Sequence, residues 1–262
     1  MVATYRIKVL QKALGILDLF NEQGKELTNT EIHQSLNLNK STTARILNVL
    51  ESEGCVERDP LTLKYRLGVK VYYLGSLVEG FGEIKKLAFP FLQWLNEKCG
   101  ETIHLVVLDR GEAFYLEKIE GKGPIRVVSQ VGKRLPAHCS GVGKILLSSL
   151  SEDELCRIIK ERGLKRFTRN TIVNMNALKS ELISIRKRGY AIDNEEVRVG
   201  LKCLAAPIRD ANNQLIAAFS IAAPKERLGE DIIKRYIPLV LEVSAKISNF
   251  LKKKDFKLRT FH

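Results

Sequence analysis

The sequence predicts an α+β protein in two unequal parts: an N-terminal winged helix-turn-helix, then a larger C-terminal domain with an antiparallel sheet flanked by helices. Three observations lead there. The first 67 residues carry three apolar repeats of helical spacing, punctuated by a capping box and glycine stops, and then two short runs around Asp59 and Pro60. Beyond Gly100 the pattern changes to short β-rich runs, then helical stretches, then β-rich runs again, the order of a layered α+β fold. At 262 residues the chain suits a small domain joined to a larger one.

Ile7, Leu10, Leu14 and Leu17 recur at spacings of three and four, with Ala13 and Phe20 nearby, which predicts a first helix burying that face and ending at Gly24. Thr28 and Glu31 then frame a T-x-x-E capping box, in which hydroxyl and carboxylate satisfy the free amides of a helix start. A short second helix follows through Ile32 and Leu36. In LNLNK either Asn37 or Asn39 serves the turn, and STTARILNVLESEG predicts a third helix from Ser41 to a stop at Gly54, burying Ile46, Leu47, Val49 and Leu50. CVERDPLTLKYRLG reads as a β-hairpin, the wing.

In this arrangement the third helix enters the major groove of DNA by its N-terminal residues while the preceding helix crosses the backbone. Its first turn is accordingly polar: Asn39, Lys40, Ser41, Thr42, Thr43 and Arg45 cluster there. Lys40 and Arg45 can meet phosphates or guanine, and the three hydroxyls phosphates or base edges. Arg58, Lys64 and Arg66 on the wing suit the DNA backbone, and Thr28 at the start of the second helix completes the candidate set. A bare three-helix segment with a hairpin also serves as a protein-docking module; the polar turn favours DNA.

The formal charge of +13 does not locate this function, because residues 1–67 hold nine Lys/Arg against eight Asp/Glu. Residues 157–188 carry ten basic and two acidic side chains, which reads either as a solvated face or as a surface for anions. Apolar residues at 45% provide for a core. No apolar run approaches the roughly twenty residues of a membrane span, and the first helix lacks the unbroken run of a secretory signal, so a cytoplasmic protein without membrane contact is expected. Cys55, Cys99, Cys139, Cys156 and Cys203 are odd in number and widely spaced, which argues against a disulfide framework or structural zinc; no metal or cofactor is expected.

Further along, a linker helix is predicted over 69–81, through Leu74, Leu77, Val78 and Phe81, and another helix through Ile84, Leu87, Ala88, Phe91 and Leu95, with a kink or break at Pro90. Strands are expected at 102–108, 113–119 and 125–129, helices at 141–150, 152–162 and 176–188, and strands at 190–194, 204–209 and 215–222. A last helix through Ile232, Tyr236, Val240 and Ile247 should bend or divide at Pro238, and the basic tail after Phe250 should fray. The implied division is 1–67, 68–82, 83–252 and a tail over 253–262.

HCSGVGKILLSSL invites comparison with a phosphate-binding loop, which it fails: His138 stands where the first glycine is needed and Ile145 where a hydroxyl should hold magnesium. Its small residues at a helix start suit an anion, and Ser140, Gly141 and Val142 are candidates to meet a carboxylate. A thiol nucleophile, Cys139 with His138 or Cys203, requires a base within hydrogen-bond reach, which sequence adjacency does not supply. No catalytic residue is expected. A thiol-dependent enzyme with an accessory DNA-binding domain and a DNA-associated scaffold without ligand remain the alternative readings.

KALGILDLF, STTARILNVLESEGCVERD and YRLG resemble the N-terminal domain of IclR-family transcriptional regulators, and RLPAHCSGVGK, RKRGYAIDNEEVRVGLKCLAAPIRD and IAAFSIAAP resemble that family's effector-binding domain. The resemblance covers the whole chain. It implies a GAF-like C-terminal fold with no enzymatic step, and a small-molecule effector pocket lined by Leu135, Ser140, Gly141, Val142, Asp193, Cys203 and Ser220. It also implies a homodimer or dimer of dimers on a double-stranded DNA operator. Family members often carry a second serine two residues after the position of Ser220, where this chain has Ala222, which tells against a very small, strongly polar effector.

Overall fold

The computed structural model describes residues 7–21, 24–125 and 127–258. The last four residues of the expected tail, 259–262, lie outside them. Two compact units result, Met1–Val78 and Glu79–His262.

In the first unit, α1 (Lys8–Asp18), α2 (Asn29–Ser35) and α3 (Lys40–Ser52) are followed by the antiparallel hairpin β1 (Val56–Arg58) and β2 (Tyr65–Leu67), and by α4 (Val69–Ser76). The capping box forms as spelled, with Thr28 and Glu31 each serving the other's backbone amide. Ile16, Phe20, Ile32, Ile46, Leu47, Leu50, Val56 and Tyr65 make the core. Two expectations are corrected. α1 stops at Asp18, well before Gly24, and it buries Ile16 and Phe20 with Ala13 and Leu17 alongside, leaving Ile7, Leu10 and Leu14 more than half exposed. Positions 13, 16, 17 and 20 form a second stripe of helical spacing, and this is the one that meets α2 and α3. Val49 likewise faces outward rather than into the core.

The second unit runs α5 (Phe81–Cys99), β3 (Thr102–Asp109), β4 (Glu112–Ile119), β5 (Arg134–Pro136), a 3-10 turn (Ala137–Cys139), α6 (Gly141–Leu147), α7 (Glu152–Arg162), α8 (Met175–Arg188), β6 (Ala191–Asn194), β7 (Leu201–Arg209), β8 (Leu215–Pro224) and α9 (Glu230–Lys253). The six strands form one antiparallel sheet in the order β5-β4-β3-β8-β7-β6. Alternate residues of each strand face opposite sides. Ile103, Leu105 and Val107 of β3 and Ala217, Phe219 and Ile221 of β8 pack under α5 and α9, while Val106 and Ala218 face α6 and α8. Both sides are covered, which explains why LIAAFSIAAP is apolar throughout instead of alternating.

Three further corrections concern this unit. No strand forms at 125 or 127–129: Lys118 Nζ takes the carbonyls of Val127 at 2.9 Å and Ser129 at 3.0 Å, so a side chain replaces the ladder, and the outer strand is β5 instead. α5 and α9 run unbroken through Pro90 and Pro238, whose neighbours pack on the sheet. The tail does not fray at once: Phe256 and Leu258 are buried in the α5/α9 core, and the Phe256 carbonyl accepts from the Ala211 amide at 3.0 Å. Burial of these two aromatic and aliphatic side chains fixes a segment that its lysines made look solvated. Among the described residues no helix is long and apolar enough to cross a membrane.

Candidate functional site

The start of α3 is where the candidate DNA residues concentrate. Asn39 is its N-cap by backbone geometry without a side-chain cap bond, Lys40, Ser41 and Arg45 are exposed, and Thr42 is half-buried. Thr43 is a correction: it is wholly buried, and its hydroxyl donates to the Asn39 carbonyl at 3.2 Å. Position 43 precedes Ile46, Leu47 and Leu50 by three, four and seven, so it shares their inward face. The Thr28 hydroxyl is engaged locally, donating to Glu31 Oε2 at 2.8 Å, and hydrogen bonds from Thr28 hold the Glu31 carboxyl below its usual range. On the hairpin, Arg66 pairs with Glu57 across the strands at 3.0 Å, the Arg58 guanidinium lies 5.5 Å from the Tyr65 ring centre, and Lys64 is half-buried. Lys40, Arg45 and Arg58 are thus the exposed cations of this surface with no salt bridge among the described residues.

In the C-terminal unit a cavity of about 600 Å³ opens on the α6 side of the sheet. All seven candidate effector residues wall it: Leu135 on β5, Ser140, Gly141 and Val142 at the start of α6, Asp193 on β6, Cys203 on β7 and Ser220 on β8. Register brings them together. Ser220 stands opposite His104 of β3, and Cys203 opposite both Asp193 and Ala222. Ala222 also lines the cavity. The small residues of α6 serve close packing: a Cβ on Gly143 would collide with the Ala137 carbonyl.

Sequence reasoning missed His104 and Tyr115. His104 Nε2 pairs with Ser129 Oγ at 2.7 Å, its Nδ1 lies 3.5 Å from Ser220 Oγ, and its ring meets Tyr115 edge-on at 4.9 Å. Burial pushes its pKa down to about 3, so the imidazole is neutral and offers one donor and one acceptor. Burial pushes the Tyr115 phenol up. The available signal was a polar residue interrupting the apolar run Ile103, Leu105, Val106. Asp193 is buried and its Oδ1 accepts from the Glu196 amide at 2.7 Å; burial raises its pKa to about 7. His104 is therefore uncharged and Asp193 carries its charge only as pH rises through about 7, so below neutrality the inner wall is neutral and rich in hydroxyls, while the cations Lys133, Arg134 and Arg198 and the carboxylate of Glu226 stand exposed at the mouth.

The thiols are not set up for attack. Burial raises the Cys139 thiol to about 12 and the Cys203 thiol well above its usual value, and His138 is turned to the Lys165 carbonyl at 3.0 Å. Lys144, the lysine of the segment that fails the comparison with a phosphate-binding loop, is wholly buried; its ammonium meets Glu196 Oε1 and the Ile192 carbonyl at 2.8 Å, with Glu181 at 3.6 Å. It clamps the turn after β6 and reaches no solvent-side anion. Burial raises the Glu196 carboxyl, with Lys144 opposing. Among the described residues no group of three or more His, Cys, Asp or Glu side chains is placed to hold a metal ion.

Two family models match the chain: the IclR helix-turn-helix domain over residues 9–60, and the bacterial transcriptional regulator IclR C-terminal domain over residues 80–249. The chain is similar to the HTH-type transcriptional regulator XynR of Escherichia coli K12, 38% identical over 86% of this chain and 89% of that one. It is also similar to the HTH-type transcriptional repressor AllR of the same strain, 34% identical over 95% of this chain and 92% of that one. The crystal structure of Thermotoga maritima IclR superposes with a TM-score of 0.75 at 34% identity, covering 94% of this chain and all of that one. With both family models in their expected order and a helix-turn-helix joined to an effector-type domain, the chain belongs to the IclR family of DNA-binding transcriptional regulators, which are not enzymes.

Proposed function

We propose that the first unit is a winged helix-turn-helix that sets α3 in the major groove of double-stranded operator DNA, and that the 600 Å³ cavity of a GAF-like C-terminal domain holds the effector. Arg45 and Lys40, with Ser41 and Thr42, approach base edges and phosphates from α3; Arg58, Lys64 and Arg66 approach the backbone from the wing. The observation that carries the sensing half is that seven residues scattered over 86 positions, from Leu135 to Ser220, wall one cavity. The class of effector follows from its lining. A space in the range of drug-sized ligands, with Ala222 in place of a further hydroxyl, suits an organic acid, sugar acid or aromatic acid larger than a two-carbon acid. Such a ligand would turn its anionic end to Lys133 and Arg198 and its hydroxyls to Ser129, Ser220 and His104.

The protein works as a homodimer or a dimer of dimers in the cytoplasm, with two recognition helices on two half-sites. Leu10 and Leu14 on α1 with Ile7 just before it, and Tyr72 and Tyr73 on α4 with Leu77 just after it, each more than half exposed, supply apolar surface of the kind a second copy covers. Repression is the proposed sign, as in the AllR relative. The effector acts by binding DNA-competent and DNA-incompetent states unequally.

Arg45→Ala is expected to weaken operator binding about tenfold in a gel-shift titration at fixed salt, with unchanged thermal unfolding. Unchanged affinity would remove Arg45 from the interface. A thermal-shift screen of organic, sugar and aromatic acids is expected to yield a stabilising ligand whose effect shrinks in Ser220→Ala. If no such acid stabilises the protein, the scaffold reading wins.

A further inference from the structure

Val127, Val128 and Ser129 line the 600 Å³ cavity, and Val128 is 82% exposed, so this stretch is an outer wall with solvent on its other side. A wall beside a sheet is ordinarily held by a ladder of backbone hydrogen bonds. This one is not. The ladder along the outer edge of β4 stops where Tyr115 meets Gly132 and Lys133, and among the described residues 127–129 make no backbone–backbone hydrogen bond. Two side chains take the ladder's place. The Lys118 ammonium donates to the Val127 carbonyl at 2.9 Å and to the Ser129 carbonyl at 3.0 Å, and His104 Nε2 pairs with Ser129 Oγ at 2.7 Å.

Strand register explains why these two residues do it. Lys118 of β4 stands opposite His104 of β3, and His104 opposite Ser220 of β8, so the three form one row on the cavity side of the sheet. His104 and Ser220 line the cavity. Lys118 does not, because the wall lies over it: its side chain is 11% exposed, and its third donor goes to Glu120 at 2.8 Å. Hydrogen bonds from a charged donor are stronger than neutral ones, which keeps the wall shut. A segment with no backbone ladder nevertheless opens at a free energy well below that of global unfolding.

We propose that Lys118 is a positioning residue of the effector cavity, pinning residues 127–129 as a wall that opens independently of the sheet and admits the guest. Lys118 touches no guest itself; it acts through the two carbonyls, and through them on the Ser129 hydroxyl that meets His104. Only the nature of the guest rests on the effector reading given above, because the opening of the wall is measured on the empty protein.

Two cysteines supply the test. Cys203 lines the cavity, whereas Cys139 is buried and does not. Their alkylation by iodoacetamide in the full chain, read peptide by peptide by mass spectrometry, therefore separates opening of the wall from loosening of the whole domain. Lys118→Met removes the donors and keeps most of the volume; it is expected to speed labelling of Cys203 about tenfold and to leave Cys139 unchanged. Lys118→Arg, which restores a charged donor, should label as slowly as the wild type. Ser129→Ala, at a half-buried position, removes only the bond to His104 and should speed Cys203 labelling about threefold. The proposal is overturned if Cys203 reacts no faster in a folded Lys118→Met or, should that variant not fold, in Ser129→Ala. It is also overturned if Cys139 accelerates in step with Cys203, or if Lys118→Arg labels as fast as Lys118→Met. No effector is present in these reactions, so failure of the pin and failure of the effector reading are told apart.

Discussion

Lys144→Ala is expected to destabilise the C-terminal unit by about 3–5 kcal/mol, read as a fall in urea midpoint. The side chain is 2% exposed and its ammonium bridges Glu196 and the Ile192 carbonyl, so removal strands a carboxylate that is itself buried and already has one oxygen without a donor. Desolvating an unpaired charge, more than losing a contact, sets the size of the effect. The contrast with a second variant makes the cause explicit. Lys144→Met keeps most of the volume and should be nearly as costly alone, but combined with Glu196→Gln it should recover much of the loss, because the stranded charge is then gone. A loss below about 1 kcal/mol for Lys144→Ala, or simple additivity in the double variant, would mean that solvent reaches Glu196 and the pair is not truly buried.

That lysine also shows where sequence reading stops. Its partner Glu196 lies 52 positions away, and nothing local to SGVGK announces the pairing. Where hydrogen bonds close within a few residues the sequence is explicit: Thr28 and Glu31 spell their own cap, and α3 with its polar start follows from spacing. Faces are harder. α1 carries two apolar stripes, and only packing against α2 and α3 selects Ile16 and Phe20 over Leu10 and Leu14. Thr43 has the chemistry of a DNA contact but the helical phase of a core residue. The seven cavity candidates rest on family motifs, since their convergence depends on strand register that no periodicity encodes, and His104 enters only because β3 pairs with β8. The β-rich residues 125 and 127–129 look like a strand in composition, yet a clamp from Lys118 takes their carbonyls. Phe256 and Leu258 were hidden among lysines.

Asp193→Asn should stabilise the protein at about pH 8 by roughly 3–4 kcal/mol and change it little near pH 4. Burial holds the folded carboxyl at about 7 against an ordinary value of 3.8. Between those two values the folded state keeps a proton that the unfolded state has released. The stability tied to this group is therefore fully present below about pH 4, declines as pH rises toward 7, and stays low above it. Asparagine retains an oxygen to accept from the Glu196 amide and never ionises, so it escapes the decline. The measurement is urea unfolding of both proteins across pH, where only their difference matters because all other titrations are shared. Equal stability of the two at pH 8, or a gain that does not grow from pH 4 to 8, would show that the carboxyl ionises without penalty. The same residue walls the effector cavity, which gives the shift a functional consequence. An anionic effector meets a neutral Asp193 below neutrality and a second negative charge above it, so its affinity should fall as pH passes 7 in the wild type and hold level in Asp193→Asn.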